Sequence, residues 1–415
     1  MPAALSTFDA VLKEDYHGPV VEQLNQANVF AAQVDKDTEN FVGRRWITPL
    51  HISRNSGVGA GGETTTLPTA GNQGYVDILG PIRYNRGRIQ LSTAVIEAAS
   101  KDRGSFIRAL DSEMKGLTND LSRDECRQTW GESNGRLATC GTTTASTTVT
   151  LAATTSDAQL RWIEDRGVVD IGTLATPTSI TTTSRTVSSV NYTAKTIVIS
   201  GAAVTTSSAN FVFAAGSGGA SSNSGTYNDG QFELTGLQTM VDDTAVLHTV
   251  NPSTVSKWKS QKYTSVGSIS ESLLVKYVNE TEIASGMTPD LIVGAYGVTR
   301  AIGNLLTSQK RVLDNVSLKG GWSATSLDAV LAGGKGSYHV AMVPEKNVGN
   351  GVLYGLCTKA FKQFVLKEWG WMDSDGAVLS RVANTPAYEA TMEKFSEFVC
   401  VQRNANFVAS GITEA

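Results

Sequence analysis

Residues 105–131 read SFIRALDSEMKGLTNDLSRDECRQTWG, and the reading of this stretch decides the fold. Phe106, Leu110, Met114, Leu117 and Leu121 follow one another at steps of four, four, three and four, which is a single apolar stripe along a helix. Asp111, Glu113, Lys115, Asp120, Arg123 and Asp124 take the other faces, so only one side can be buried. Ser105 is placed to cap the start, and Gly131 after Trp130 to end it. At about 1.5 Å per residue the helix would be about 40 Å long, longer than most in globular domains. The spacing therefore predicts a strut lying on a sheet rather than a membrane span or a central core helix.

Upstream, residues 41–92 read as a long two-stranded arm. Phe41 to Ser53 and Tyr75 to Leu91 are extended by their β-branched, aromatic and Arg content, and they bracket a tip rich in Gly, Thr and Pro. Gly57, Gly59, Gly61 and Gly62 loosen the descent to that tip. An isolated hairpin is marginal in water, so this arm must be mobile or lie on something else. Arg44, Arg45, Arg83, Arg86 and Arg88 make its base locally basic. Two readings stand for them: contact with carboxylates of a neighbouring subunit, or a solvated edge that discourages sheet aggregation. Together with Arg54 and Glu63 further out, they are the candidate intersubunit contact residues. A short helical stretch, Thr93 to Ser100, leads into the strut.

Downstream, the composition changes abruptly. Ala138 to Gln231 is built from Thr, Ser, Ala and Gly, and between Gly172 and Asn228 the only charges are Arg185 and Lys195. Strand candidates recur at Gly167 to Ile171, Arg185 to Val190, Lys195 to Ser200 and Asn210 to Ala214, the spacing of a small inserted barrel or sandwich. The alternative is a disordered Ser/Thr linker, against which Ile197, Val198, Ile199, Phe211 and Phe213 weigh. Beyond Glu233 the pattern is mixed. Ser270 to Ala284 is helical, Leu291 to Ala295 a buried strand, and Val298, Ile302, Leu305 and Leu306 mark another helix. Tyr338 to Val343 and Gly351 to Leu356 add strands around a turn at Pro344 to Gly349, completing an α+β lobe. Phe361 to Met372, a turn at Asp373 to Gly376, Ala377 to Val382 and a last long strand through Tyr388 to Gln402 finish the chain.

Composition narrows the function. With 415 residues, 40% hydrophobic and 18% charged, the chain is globular material sufficient for more than one core. A net charge of -4 gives no reason to grip a phosphate backbone. Residues 1–40 show no unbroken apolar run of a secretory signal, and no stretch reaches the length of a membrane span. Cys126, Cys140, Cys357 and Cys400 lie far apart, as buried thiols and not as a zinc site or disulfide framework.

Chemistry is sparse. The run Gly57 to Gly62 has no following lysine or helix start, so it fails as a phosphate cradle, and Gly333, Gly334, Lys335 and Gly336 lack the strand and hydroxyl of one. His17, His51, His248 and His339 have no metal-pair spacing. Asp373 and Asp375 suit a hairpin turn better than a calcium loop. No catalytic residue, metal or cofactor is expected.

The order of elements resembles the major capsid proteins of tailed phages, the Hong Kong 97-type fold, whose parts are the N-arm, E-loop, spine helix, A-domain and P-domain. Trp130-Gly-Glu-Ser-Asn-Gly135 looks like the glycine-rich exit from the spine helix, and Leu234-Thr-Gly-Leu-Gln-Thr-Met240 like the start of the next domain. Ser337 to Cys357 resembles the strand, Pro-containing turn and strand that close the A-domain; Tyr388-Glu-Ala-Thr-Met-Glu-Lys-Phe395 with Val399 to Ala405 resembles the P-domain strand. The resemblance divides the chain into an N-terminal arm at 1–43, an E-loop hairpin at 44–92 and the spine helix with the start of the P-domain at 93–137. An inserted Thr/Ser-rich β domain at 138–232, an A-domain at 233–357 and P-domain strands at 358–415 follow.

By implication the subunit assembles with itself into hexamers and pentamers of an icosahedral virion shell around double-stranded DNA. E-loops would lie over neighbours, and A-domains would meet at the capsomer centre. The arm begins near Phe41, too early for an internal scaffold, so a separate scaffolding protein is expected, with a portal and a decoration protein as further partners. DNA would be touched only weakly and non-specifically, no membrane is involved, and assembly would take place in the host cytoplasm. The rival readings are an encapsulin-like nanocompartment shell, a β-rich surface binding module and, less supported, an enzyme. Other members of the family lock their shells through an E-loop lysine, but no lysine lies between Lys36 and Lys101. Denaturing gels of mature particles should therefore show monomers, and covalent ladders would refute this.

Overall fold

A computed structural model of the chain describes residues 28–38, 45–94, 103–173, 179–217, 232–308, 315–317, 319, 323–326, 340–373 and 376–415. The strut is a helix over Arg103–Trp130. It starts before Ser105, which lies inside its first turns instead of capping them, and it stops at Gly131, whose N–H turns back to the Gln128 carbonyl at 3.1 Å. Beneath it lies a five-stranded sheet. Ala387–Cys400 is the central strand, pairing antiparallel with Phe361–Trp371 and Ser380–Arg381, and along its other edge with Arg83–Ser92. Asp35–Asp37 adds a short parallel strand beside Phe361–Trp371.

The stripe read from the sequence meets this sheet. Met114, Leu117 and Leu121 pack with Ile89, Trp369, Trp371, Ala390 and Met392. Gly87 stands directly under the stripe, where a Cβ would come within 2.7 Å of Leu117 Cδ1 and 2.9 Å of Leu121 Cδ1. Its missing side chain is what lets the strut approach so closely.

The arm is a ribbon of Arg45–Ser53 against Gly74–Pro81, in antiparallel register from Arg45 with Pro81 to His51 with Tyr75, with a bulge before Ser53 meets Gly74. Its second strand runs on through Ile82 into Arg83–Ser92, so ribbon and sheet share one extended run. The expected helical stretch over 93–100 is helical at Thr93 and Ala94, and the rest falls outside the described residues.

The lobe is a seven-stranded sheet in the order Gln261–Tyr263, Phe407–Ala409, Leu353–Leu356, Leu291–Gly294, Ala341–Pro344, Ser323–Ser326, Asn315–Ser317. Helices Glu271–Ser285 and Tyr296–Ser308 belong to it; Ser270 caps the first and Gly286, at φ 73°, ends it. Here the structure differs from the expectation for 358–415, because Phe407–Ala409 joins this sheet and not the one under the strut. A 3-10 turn at Arg403–Ala405 redirects the chain, and fully buried Arg403 holds it by donating to the carbonyls of Met240, Ala245 and Thr239 at 3.1, 2.7 and 2.8 Å.

The Thr/Ser-rich segment folds as a unit of its own. A six-stranded sheet runs Arg136–Thr139, Asn210–Ala214, Val168–Thr173, Ser179–Asn191, Thr196–Ile199, Thr148–Thr150. The Gly141 N–H reaches the Thr150 carbonyl at 2.7 Å and Ala152 N–H the Thr139 carbonyl at 2.9 Å, so the first and last strands meet and the sheet closes on itself. Leu137, Val149, Leu160, Ile171, Val187, Ile197 and Val212 fill a separate core, which rules out the linker reading. The unit begins at Arg136, slightly earlier than the composition change suggests.

Filling the space beneath the strut should be destabilising, since overpacking a closed contact costs about 1–3 kcal/mol. Urea unfolding of Gly87→Val is expected to show a loss of that order, and an unchanged midpoint would refute the strut contact.

Candidate assembly interface

Beyond Ser53 the ribbon leaves the body. Asn55 Oδ1 accepts the Gly57 N–H at 2.7 Å and the Gly62 carbonyl accepts the Thr65 N–H at 3.2 Å, so the tip turns on local hydrogen bonds. Gly71 lets the two chains cross there, because a Cβ would come within 2.9 Å of the Ser56 backbone nitrogen. Apolar side chains along this ribbon are left in the open: Ile47 is 57% exposed, Tyr75 63%, Val58 78% and Leu67 89%. Isolated exposed apolar residues are ordinary, but a row of them on one projecting hairpin is the surface signature of a contact.

The candidate contact residues divide into groups. Arg44 lies outside the described residues, while Arg45, Arg54 and Glu63 are exposed on the ribbon. Arg83, Arg86 and Arg88 lie on the strand beside Ala387–Cys400, facing carboxylates of their own chain: Glu397 at 3.2 Å, Glu393 at 3.5 Å and Glu389 at 3.3 Å. Arg86 and Arg88 stay largely exposed in these pairs. Arg83 is buried, so the expectation of a neighbour's carboxylate is corrected there to an internal ion pair. The register puts Arg86 directly opposite Glu393, while Arg88 stands opposite Thr391 and reaches Glu389 diagonally, and Arg83 stands opposite Ser396, one place from Glu397.

Sequence reading missed the buried charges that fasten the body around the ribbon's root. Glu397 accepts from Arg83 Nε on one oxygen and from the Thr235 and Phe398 N–H groups, at 2.7 and 3.0 Å, on the other. Glu125, on the strut, accepts from Lys394 Nζ at 2.6 Å and Trp369 Nε1 at 2.8 Å. Arg127 grips Glu233 with both terminal nitrogens, at 2.5 and 3.2 Å. At each site the buried carboxylate accepts hydrogen bonds on both oxygens, the kind of compensation that buried charges require. The signal was present in Ala387–Cys400, where Glu393, Lys394 and Glu397 put charge on both faces of one strand.

The four cysteines are buried, and burial pushes the Cys126, Cys140 and Cys400 thiols up to about 12. Among the described residues no cluster of three or more metal-type side chains occurs, and no helix is long and apolar enough to cross a membrane.

The sequence matches no protein-family model and no curated protein. Structural likeness is extensive. The capsid asymmetric unit of cyanophage A-1(L) aligns over 94% of this chain and 93% of its own, with a TM-score of 0.54 at 8% identity. The capsid of Myoviridae phage XM1 aligns over 92% and 90%, with a TM-score of 0.42 at 8% identity. The SrpI encapsulin of Synechococcus elongatus aligns over 40% and 56%, with a TM-score of 0.28 at 14% identity. On the first of these, the chain has the α+β fold of a phage capsid protein over nearly its whole length, the fold that the order of its elements implied.

The root pair sets a pH dependence. Burial raises the Glu397 carboxyl from 4.5 to about 7, against the pull of Arg83 and the two amides. A raised acid holds its proton to higher pH in the folded chain than in the unfolded one, so Arg83 faces a neutral carboxyl below about 7 and a carboxylate above it; the contribution to stability is complete below about 4.5 and lost as pH rises through about 7. Relative to Glu397→Gln, the unmodified chain should lose about 1 kcal/mol per pH unit between those values. Urea unfolding at pH 4.5, 6 and 7.5 measures this, and parallel profiles for the two chains would refute it.

Proposed function

We propose that this chain is a major capsid protein of a tailed phage, assembling with itself into the hexamers and pentamers of an icosahedral head that encloses double-stranded DNA. The observation that carries the reading is the ribbon: a projecting hairpin whose tip side chains Val58 and Leu67 are left exposed by the described residues, on a body with the capsid fold. Its role is structural and non-enzymatic, since function here is reciprocal burial between copies. Interfaces of this kind bury about 1,000 Å² or more each. Arg45, Arg54 and Glu63 on the ribbon, and Arg86 and Arg88 at its root, are the charged contacts proposed for the neighbouring copy, with Arg44 beside them. A separate scaffolding protein, a portal and a decoration protein are the proposed partners, with DNA held only by weak non-specific contact. Assembly takes place in the host cytoplasm, and the finished protein resides in the virion shell. No observation specifically favours the encapsulin-like shell or the surface binding module.

Negative-stain microscopy at assembly concentration, with the scaffolding protein co-expressed, is expected to show closed particles or capsomers. The double variant Val58→Asp, Leu67→Asp should abolish them while leaving the near-UV circular dichroism of the folded subunit unchanged. Unmodified chain that remains monomeric, or a variant that assembles equally well, would overturn the proposal.

A further inference from the structure

Leu247 and Val250 exchange both backbone hydrogen bonds, at 3.2 and 3.0 Å, around a two-residue turn whose central residues, His248 and Thr249, have φ of 49° and 70°. Asn-Gly fills such a turn easily; a bulky imidazole followed by a β-branched residue does not. Left-handed backbone of this kind persists only where its surroundings hold it.

His248 supplies those surroundings. Its carbonyl accepts the N–H of Leu79, on the second strand of the ribbon, at 3.1 Å. Its Nε2 accepts the N–H of Cys400, at the end of the central strand, at 3.3 Å. Its ring meets that of Trp46, on the first strand of the ribbon, edge-on at 6.4 Å. One buried residue therefore joins both strands of the ribbon root to the sheet under the strut.

The bond to Cys400 exists only while Nε2 carries no proton, because an imidazolium has no acceptor. The charged groups around the ring are Arg83, where the ribbon strand enters the sheet, and Arg403, just past the central strand. Glu397 offsets the Arg83 charge from the central strand only above about 7, where its carboxyl is ionised, and the Cys400 thiol stays neutral.

We propose that His248 is an acid-released latch on the ribbon: neutral, it fastens the root to the body, and protonated, it lets the root go. A proton here orphans the Cys400 N–H and adds a third positive charge beside Arg83 and Arg403. Burial and those two guanidiniums lower the imidazole from 6.5 to about 3, so the latch is closed at neutral pH. A lowered base contributes stability that is complete above about 6.5 and lost as pH falls toward about 3. Glu397 titrates in the opposite sense, so the test compares variants and not a single profile.

Hydrogen exchange of the full chain, corrected for intrinsic rates, is followed in peptides containing Leu79 and Cys400 from neutral pH into the acid range. Protection there should fall at least about tenfold in acid while the closed sheet around Val212 keeps its own. In His248→Gln, which keeps an acceptor and never charges, ribbon protection should not fall. Equal loss in this variant, or simultaneous loss of ribbon and closed-sheet protection in the unmodified chain, would overturn the latch. Should His248→Gln fail to fold, the double variant Arg83→Gln, Glu397→Gln removes one of the two cations without leaving a buried carboxyl unpartnered and should move the release to higher pH; an unmoved transition would overturn the proposal. These readouts concern the isolated subunit, so they stand apart from whether it assembles.

Discussion

Residues 74–92 form one nearly continuous extended run, broken only at Ile82, and the setting of that run governs the molecule. Half of it pairs with Arg45–Ser53 to make the projecting ribbon, and half pairs with Ala387–Cys400 to make the sheet beneath the strut. Side chains alternate strictly between faces, so the setting of the root decides which residues the ribbon presents. Gly87 meets the strut, while Arg86 and Arg88 take the opposite face with their carboxylates. A slip of one residue would drive Arg86 or Arg88 under Leu117 and Leu121. The closeness of the strut at Gly87 excludes that slip, and the ribbon inherits its orientation from this packing.

Buried ion pairs fasten the same region where apolar packing would also have served. Replacing such pairs by hydrophobic residues is often neutral or better for stability, whereas removing one partner is costly. Arg83 with Glu397 and Glu125 with Lys394 therefore add more to the choice of register than to total stability. Each partner is reached only in one alignment of strut, ribbon strand and central strand. For a subunit whose projecting ribbon has to arrive in one orientation, uniqueness of the root matters more than an additional margin of free energy.

Much of this was legible in the residues. The four-four-three-four stripe located the strut, and the glycine-rich tip between β-branched runs located the ribbon, because both signals are local and periodic. The strands at Gly167, Lys195 and Asn210 showed for the same reason, while Arg136–Thr139 and Thr143–Ser146 were lost in a Thr/Ser background that has no strong alternation. The buried charges and the crossing of Phe407–Ala409 into the lobe were not legible. Both depend on residues more than a hundred positions apart, as with Lys394 and Glu125 or Arg403 and Met240, and spacing in one chain carries no record of such partners. The latch residue was visible only as a lone histidine, since its left-handed backbone has none of the Asn-Gly chemistry that announces such a turn.

The insertion shows how the fold tolerates a second core without losing that register. The chain leaves the body through Trp130 to Gly135 and returns through Glu233 to Met240, and these two segments, about a hundred residues apart, are bonded to each other. Gly236 N–H donates to Ser133 Oγ at 2.9 Å, Leu234 N–H to Gln128 Oε1 at 3.0 Å, and Thr239 Oγ1 to the Glu132 carbonyl at 2.9 Å. Gly236 must lack a side chain, for a Cβ would come within 2.2 Å of the Gly131 carbonyl oxygen. Arg127 and Glu233 form a bidentate pair across the same seam. Within the inserted unit, Ala214 N–H returns to the Gly135 carbonyl at 2.9 Å, so its own ends are adjacent too. An excursion that begins and ends at one stapled point can keep a core of its own, and among the described residues only polar side chains and Trp162 tie it back to its host. Arg123 on the strut pairs with Glu164, Trp162 Nε1 donates to Asn347 at 3.2 Å, and Asn350 Nδ2 donates to Asp157 at 3.2 Å. The two glycine-containing segments that stood out in the sequence are therefore one structural feature, the closed neck that separates the inserted core from the body carrying the ribbon.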